Sequence, residues 1–101
     1  MIDLNAIVGF QWDGGNSQKS HEKHNVTGAE AEQVFFNQPL FLLEDERHSI
    51  DESRFHAFGQ SDGDRLLHIT FTLREGGSLI RVISARDMSR AERKWYATQI
   101  N

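Results

Sequence analysis

The run Ile80-Arg81-Val82-Ile83-Ser84-Ala85-Arg86 sets two arginines inside a short apolar segment that reads as a buried strand. Asp87-Met88-Ser89-Arg90-Ala91-Glu92-Arg93 comes directly after it, and Ser89 and Glu92 have the spacing of a capping box, so a helix is predicted to start there. A strand that ends beside a helix start concentrates permanent positive charge. A guanidinium stays protonated and offers a planar fork of donors that matches phosphate oxygens. Arg81 and Arg86 therefore read as anion ligands, the ordinary alternative being a sheet whose arginines pair with Asp or Glu. Alternation puts Arg81 opposite Ile80 and Val82, on the polar face with His68 and Thr70. Arg86 has the other parity, and the strand is expected to end before it.

Other chemistry-bearing patterns are weaker. His21-Glu22-Lys23-His24 looks like a zinc-protease signature, but that chemistry needs two histidines four apart, and here the spacing is three. Gly14-Gly15 and Gly76-Gly77 are turn glycines, since neither sits in a strand-loop-helix unit ending in Lys-Ser or Lys-Thr. No serine has the context of a nucleophile elbow. Without a single cysteine there is no disulfide, thiolate nucleophile or cysteine-based metal site. No cofactor is expected. Trp12, Trp95 and Tyr96 read as packing residues because they lie at element ends among apolar neighbours.

The elements that position these residues can be read from pattern. Ala6 to Trp12 suits a first strand, and Asp13 can cap a helix starting just after it. Residues 14 to 24 contain no aliphatic side chain, so a helix there is polar all round and held only by tertiary contacts or function. Asn25 suits left-handed backbone. Thr27-Gly28-Ala29-Glu30 is a capping box with Val26 and Ala31 as its hydrophobic staple, and Pro39 closes the helix. Leu40 to Leu43 and Arg54 to Gly59 read as strands, and Ser61-Asp62-Gly63-Asp64 as a turn. Residues 66 to 74 alternate, with Leu67, Ile69, Phe71 and Leu73 facing away from His68, Thr70, Thr72 and Arg74. Glu75-Gly76-Gly77 turns the chain into the arginine strand. The expected fold is α+β: a strand, two helices, an antiparallel sheet of three or four further strands and a C-terminal helix, with the helices covering one sheet face.

The 101 residues suit a single domain, and 38% hydrophobic residues with seven Phe supply one core. The N-terminus lacks a signal-peptide pattern and no apolar stretch is long enough to span a bilayer, so a cytoplasmic location and no membrane contact are expected. Net charge is −4, against an indiscriminate grip on nucleic acid. The charge is uneven, however. Residues 1 to 50 hold three Lys and Arg against eight acids, whereas residues 81 to 94 hold five basic residues against two acids, a cationic patch on an acidic body.

Several of these segments fall in the order of a known family. Phe10-Gln11-Trp12-Asp13, Lys23-His24, Ala31-Glu32-Gln33-Val34-Phe35, Glu52-Ser53-Arg54, Arg65-Leu66-Leu67, Ile80 to Arg86, and Glu92-Arg93 with Tyr96 resemble the BrnT toxin family over about residues 10 to 97. The resemblance implies a RelE-like fold over residues 1–101 and ribonuclease toxin activity in a type II toxin-antitoxin system. It also implies a BrnA-type antitoxin with a ribbon-helix-helix domain, in a heterotetramer that meets DNA only through the antitoxin.

Metal-independent RNA cleavage needs a group to remove the 2′-hydroxyl proton, cations for the developing phosphorane charge and a proton for the leaving oxygen. Arg54, Arg81 and Arg86 suit the charge-holding role. Imidazole is the side chain that ordinarily exchanges a proton near neutral pH, so His24 is the natural proton carrier, with His68 second. Lys19 and Lys23, four apart on one face of the polar helix, could clamp phosphate, or one could act as acid if clustered cations lowered its pKa, which brings Lys23 among the catalytic candidates. Lys19, four residues earlier, His68 and Arg74 are candidate substrate contacts. This reading depends on the arginines gathering on one open face rather than each being locked to a carboxylate. Its alternative is a weakly active or inactive interaction module that binds the antitoxin and co-represses its operon.

Overall fold

The computed structural model describes residues 2–16, 23–47 and 52–100. Five strands form one sheet: β1 (Gly9–Phe10), β2 (Phe41–Asp45), β3 (Arg54–Gln60), β4 (Leu66–Arg74) and β5 (Leu79–Asp87). Among the described residues, helices α1 (Gly28–Val34) and α2 (Arg90–Ile100) pack on it. The strand order is β1-β5-β4-β3-β2, antiparallel throughout except for β1, which runs parallel to β5. Among the described residues no helix is long and apolar enough to cross a membrane.

Local chemistry sets the element ends. The Thr27 hydroxyl accepts from the Glu30 amide while Glu30 accepts from the Thr27 amide, closing the capping box. The staple residues Val26 and Ala31 are both buried. Ser89 and Glu92 make the same exchange at the start of α2. Asn25 is left-handed at φ 54°. The expected first strand shrinks to Gly9–Phe10, because a 3-10 turn at Leu4–Ala6 occupies the preceding residues. Of the polar helix expected at residues 14 to 24, residues 14 to 16 form a turn and Lys23 and His24 are helical; residues 17 to 22, Lys19 among them, lie outside the described residues.

The two sheet faces are buried differently from the one-sided arrangement expected. Ala31 and Val34 of α1 pack on Phe55, Ala57, Leu67, Ile69, Phe71, Ile80, Val82 and Ala85. The opposite face is covered at one end by α2, where Met88 and Tyr96 enclose Phe58, with Phe41, Leu66 and Trp95 around them. Phe58 decides this outcome: it follows core-facing Ala57 by one residue, so it projects to the other side and needs its own cover.

A second difference concerns Arg86. The strand does not end before it but runs to Asp87. Thr70 pairs with Ser84 whereas Phe71 pairs with Val82, so β5 holds one extra residue at Ile83. This bulge resets the alternation. Ile80 and Val82 before it and Ala85 after it all face the α1 core, and both arginines project to the other face.

Candidate functional site

The face opposite α1 can be read as rows across the strands. Antiparallel register gives Asp45, Arg54, Thr72 and Arg81 in one row, Leu43, His56, Thr70 and Ser84 in the next, and Phe41, Phe58, His68 and Arg86 in a third. Arg54 and Arg81 are therefore separated only by β4, about 10 Å between backbones. Arg81 and Arg86 are roughly 15 Å apart along β5. The three candidate charge-holders share a face but stand at its two ends.

Two of them are held by carboxylates. Arg81 donates from Nη1 to Asp13 Oδ2 at 2.9 Å, from Nη2 to Asp13 Oδ1 at 3.2 Å and from Nη1 to the Gln11 side chain at 3.1 Å. Asp13 is kept in place by the Gly15 amide, which donates to it at 2.7 Å, and its pKa lies below the ordinary value through Arg81 first and this amide second. Arg86 makes a two-pronged contact with Glu92, at 2.8 and 2.9 Å. That pairing raises the Arg86 pKa and, with the Ser89 amide, brings Glu92 down to about 2. Bidentate pairs of this kind fix the guanidinium plane. An arriving anion has to compete with them.

Between the arginines runs a line of histidines. His56 Nε2 meets Asp45 Oδ2 at 2.9 Å, and His56 Nδ1 meets His68 Nε2 at 2.8 Å. His68 is stacked flat on Phe58, centroids 4.6 Å apart, and is 9% exposed. Burial, and then the Arg86 cation, push its pKa down to about 4, so near neutral pH it is uncharged. His68, expected to meet substrate, therefore faces His56 and α2 instead of solvent.

Lys23 and His24 are exposed and arrive at the far end of β5 from the α1 side. Arg65 holds them there: it donates to the backbone carbonyls of His24 and Asn25, at 3.2 and 2.9 Å, while its other donors go to Asp87 and Glu30. The Asp87 carboxyl is lowered mainly by Arg65 and feels His24 as well. Arg74 pairs with Glu52 at 2.8 Å at the opposite edge of the face. Trp12 donates to Glu32 and covers Gly28, and Tyr96 is buried, both as packing residues. Among the described residues no three His, Asp or Glu side chains gather as a metal site, and His21 and Glu22 lie outside them.

Sequence reasoning missed Asp13 and Glu92 as arginine partners, reading them only as caps, and passed over His56, Asp45 and Arg65. A signal for His56 existed. A hairpin centred on Gly63 pairs residues equidistant from it, which brings His56 opposite Thr70 and next to His68.

Comparison with known proteins supplies the family. A family model described as "Ribonuclease toxin, BrnT, of type II toxin-antitoxin system" matches residues 12–92. The crystal structure of the Brucella abortus ribonuclease toxin BrnT superposes with a TM-score of 0.61 at 21% identity, covering 82% of this chain and 99% of that one, and so shares the fold. No curated protein matches the chain. With the matched region taking in the polar turn, the capped helix α1, the arginine strand and the cap of α2, the chain belongs to the BrnT family of ribonuclease toxins of type II toxin-antitoxin systems.

Proposed function

We propose that this protein is an endoribonuclease that cuts RNA without a metal ion and arrests growth unless a BrnA-type antitoxin covers it. In this reading the 2′-hydroxyl attacks its own 3′-phosphodiester. Cleavage leaves a 2′,3′-cyclic phosphate and a free 5′-hydroxyl. Arg54, Arg81 and Arg86 hold the charge that develops on the phosphorane, each aimed donor contributing on the order of 3 kcal/mol. Arginine cannot readily give up a proton, so proton transfer falls to His24, with Lys23 beside it. Lys19 and Arg74 serve as substrate contacts. A cytoplasmic chain acting as one RelE-like unit, in a heterotetramer with a ribbon-helix-helix antitoxin that alone meets DNA, completes the reading.

The observation that carries it is the bulge at Ile83. An extra residue in a strand costs ladder pairing, and here its effect is to bring Arg86 to the face of Arg54 and Arg81. The carboxylate partners favour a second reading, a module that binds its antitoxin and leaves RNA intact, because Asp13 and Glu92 already occupy the Arg81 and Arg86 guanidinium groups.

One experiment separates them. The purified chain is incubated with single-stranded RNA in the presence of EDTA and the new ends are analysed. Products ending in a 2′,3′-cyclic phosphate support the enzyme. Intact RNA together with tight antitoxin binding supports the module.

A further inference from the structure

Nδ1 of His68 stands out in the molecule: it is buried and has no hydrogen-bond partner, the one such side-chain atom among the described residues. Its neighbour gives that bare nitrogen a role. Glu92 Oε2 lies 3.6 Å away, and both oxygens of that carboxylate are taken by Arg86.

The protonation pattern is set by the donor inventory. Asp45 is an acceptor, so with both imidazoles neutral His56 carries its proton on Nε2 and presents a lone pair at Nδ1. His68 must then donate from Nε2 to that lone pair, with the Thr70 hydroxyl also 3.3 Å from it. Nδ1 of His68 is left bare, facing a carboxylate. Every charged or titratable group around the ring is accounted for: His56 from β3 with Asp45 of β2 behind it, Arg86 from β5, and Glu92 from α2. Phe58 closes the flat side.

We propose that His68 and Glu92 are a positioning pair that gates Arg86: the guanidinium leaves Glu92 for a phosphodiester anion as His68 takes up one proton from solvent on Nδ1 and, as imidazolium, hydrogen-bonds through it to the vacated carboxylate. The anion's identity rests on the nuclease reading; the exchange itself does not. Before it, Arg86 neutralises Glu92 and His68 is neutral. After it, Arg86 neutralises the phosphate and imidazolium neutralises Glu92. Without the proton, a part-buried carboxylate would be left beside a bare nitrogen, so Arg86 stays where it is. The same logic raises the affinity of His68 for a proton once Arg86 has moved, because a repelling cation departs and an attracting anion is uncovered.

The first test needs no nucleic acid. His68 is followed by NMR titration in the wild type and in R86Q, where Glu92 has lost its guanidinium. The His68 titration moves up by about one pH unit or more in R86Q. An unchanged titration overturns the coupling.

The second test uses an all-2′-O-methyl oligoribonucleotide, which cannot be cut because its attacking hydroxyl is blocked. Calorimetry in two buffers of different ionisation enthalpy gives the protons taken up on binding. Wild type takes up about one proton more than H68F, whose ring keeps the stack on Phe58. E92Q binds severalfold tighter than wild type at about pH 8, where His68 is neutral, and loses the extra uptake, while Gln still serves at that capping position. Equal proton uptake by wild type and H68F overturns this inference alone. If no variant binds the oligonucleotide at any pH, the phosphodiester ligand falls together with the nuclease reading.

Discussion

His68 and Arg86 are partners directly across β4 and β5, on the same face as Arg81 five residues earlier, and only the extra residue at Ile83 reconciles these positions. In the proposed reaction Arg81 and Arg86 carry equivalent duties at opposite ends of that face. Replacing either with Ala is expected to lower RNA cleavage by about 10²- to 10³-fold. Thermal unfolding followed by circular dichroism should shift little for Arg81→Ala, whose partner Asp13 is more than half exposed, and more for Arg86→Ala, which leaves part-buried Glu92 without its guanidinium. Arg81→Lys should fail to restore cleavage, since an ammonium cannot reproduce a two-pronged contact. Growth arrest that persists undiminished in the double Ala variant sinks the cationic-face account.

Asp13 restrains Arg81 from the solvent side, its carboxylate more than half exposed. Asp13→Asn keeps an acceptor for the Gly15 amide and removes the competing charge. Binding of a 2′-O-methyl oligonucleotide should tighten severalfold and grow more salt-dependent, as expected when one more cation is free to meet phosphate. Weaker binding would mean that Asp13 orients Arg81 toward RNA and does not obstruct it.

At Gly59 the sheet lies close against Val34 of α1. A Cβ there would sit 2.9 Å from Val34 Cγ1 and 3.4 Å from the Val34 carbonyl oxygen. Gly59→Ala should therefore destabilise the fold by about 1–3 kcal/mol, measured by urea denaturation. Gly14→Ala, where nothing lies within 4 Å of the added carbon, serves as the control.

Tyr96 ties α2 to the loop before β2 by donating its hydroxyl to the Pro39 carbonyl from a position 2% exposed. Tyr96→Phe removes the donor, leaves that carbonyl short of a partner and should cost about 1–2 kcal/mol. Near-UV dichroism of the enclosed aromatics should otherwise be retained.

Acid should destabilise the protein in two stages. His68 has a folded pKa of about 4 against an ordinary 6.5, so the unfolded chain binds its proton more readily and stability is lost as pH falls from 6.5 toward 4. Asp13, Glu30, Asp87 and Glu92 have folded pKa values below their ordinary range; their stabilisation is complete above about pH 5 and fades as pH falls below 4, ending near 2 for Glu92. In H68F the first stage should vanish and the second remain, as read from denaturation midpoints across pH.

Much of the fold is local and was therefore open to sequence reasoning. Thr27 with Glu30 and Ser89 with Glu92 cap their helices through atoms three residues apart, Asn25 turns through its own backbone, and residues 66 to 74 alternate because a strand has a period of two. Pattern in the chain reaches about that far. The faces on which the parts meet needed the tertiary structure. The bulge at Ile83 is invisible in a run of apolar and small residues, yet it decides where Arg86 points. Phe58 gives α2 a second face to cover, and only pairing between β3 and β4 brings His56 to His68. Asp13 reaches Arg81 across 68 residues of chain. Charge pairing, burial and proton affinity depend on distances between residues remote in sequence, and those distances exist only once the sheet has closed.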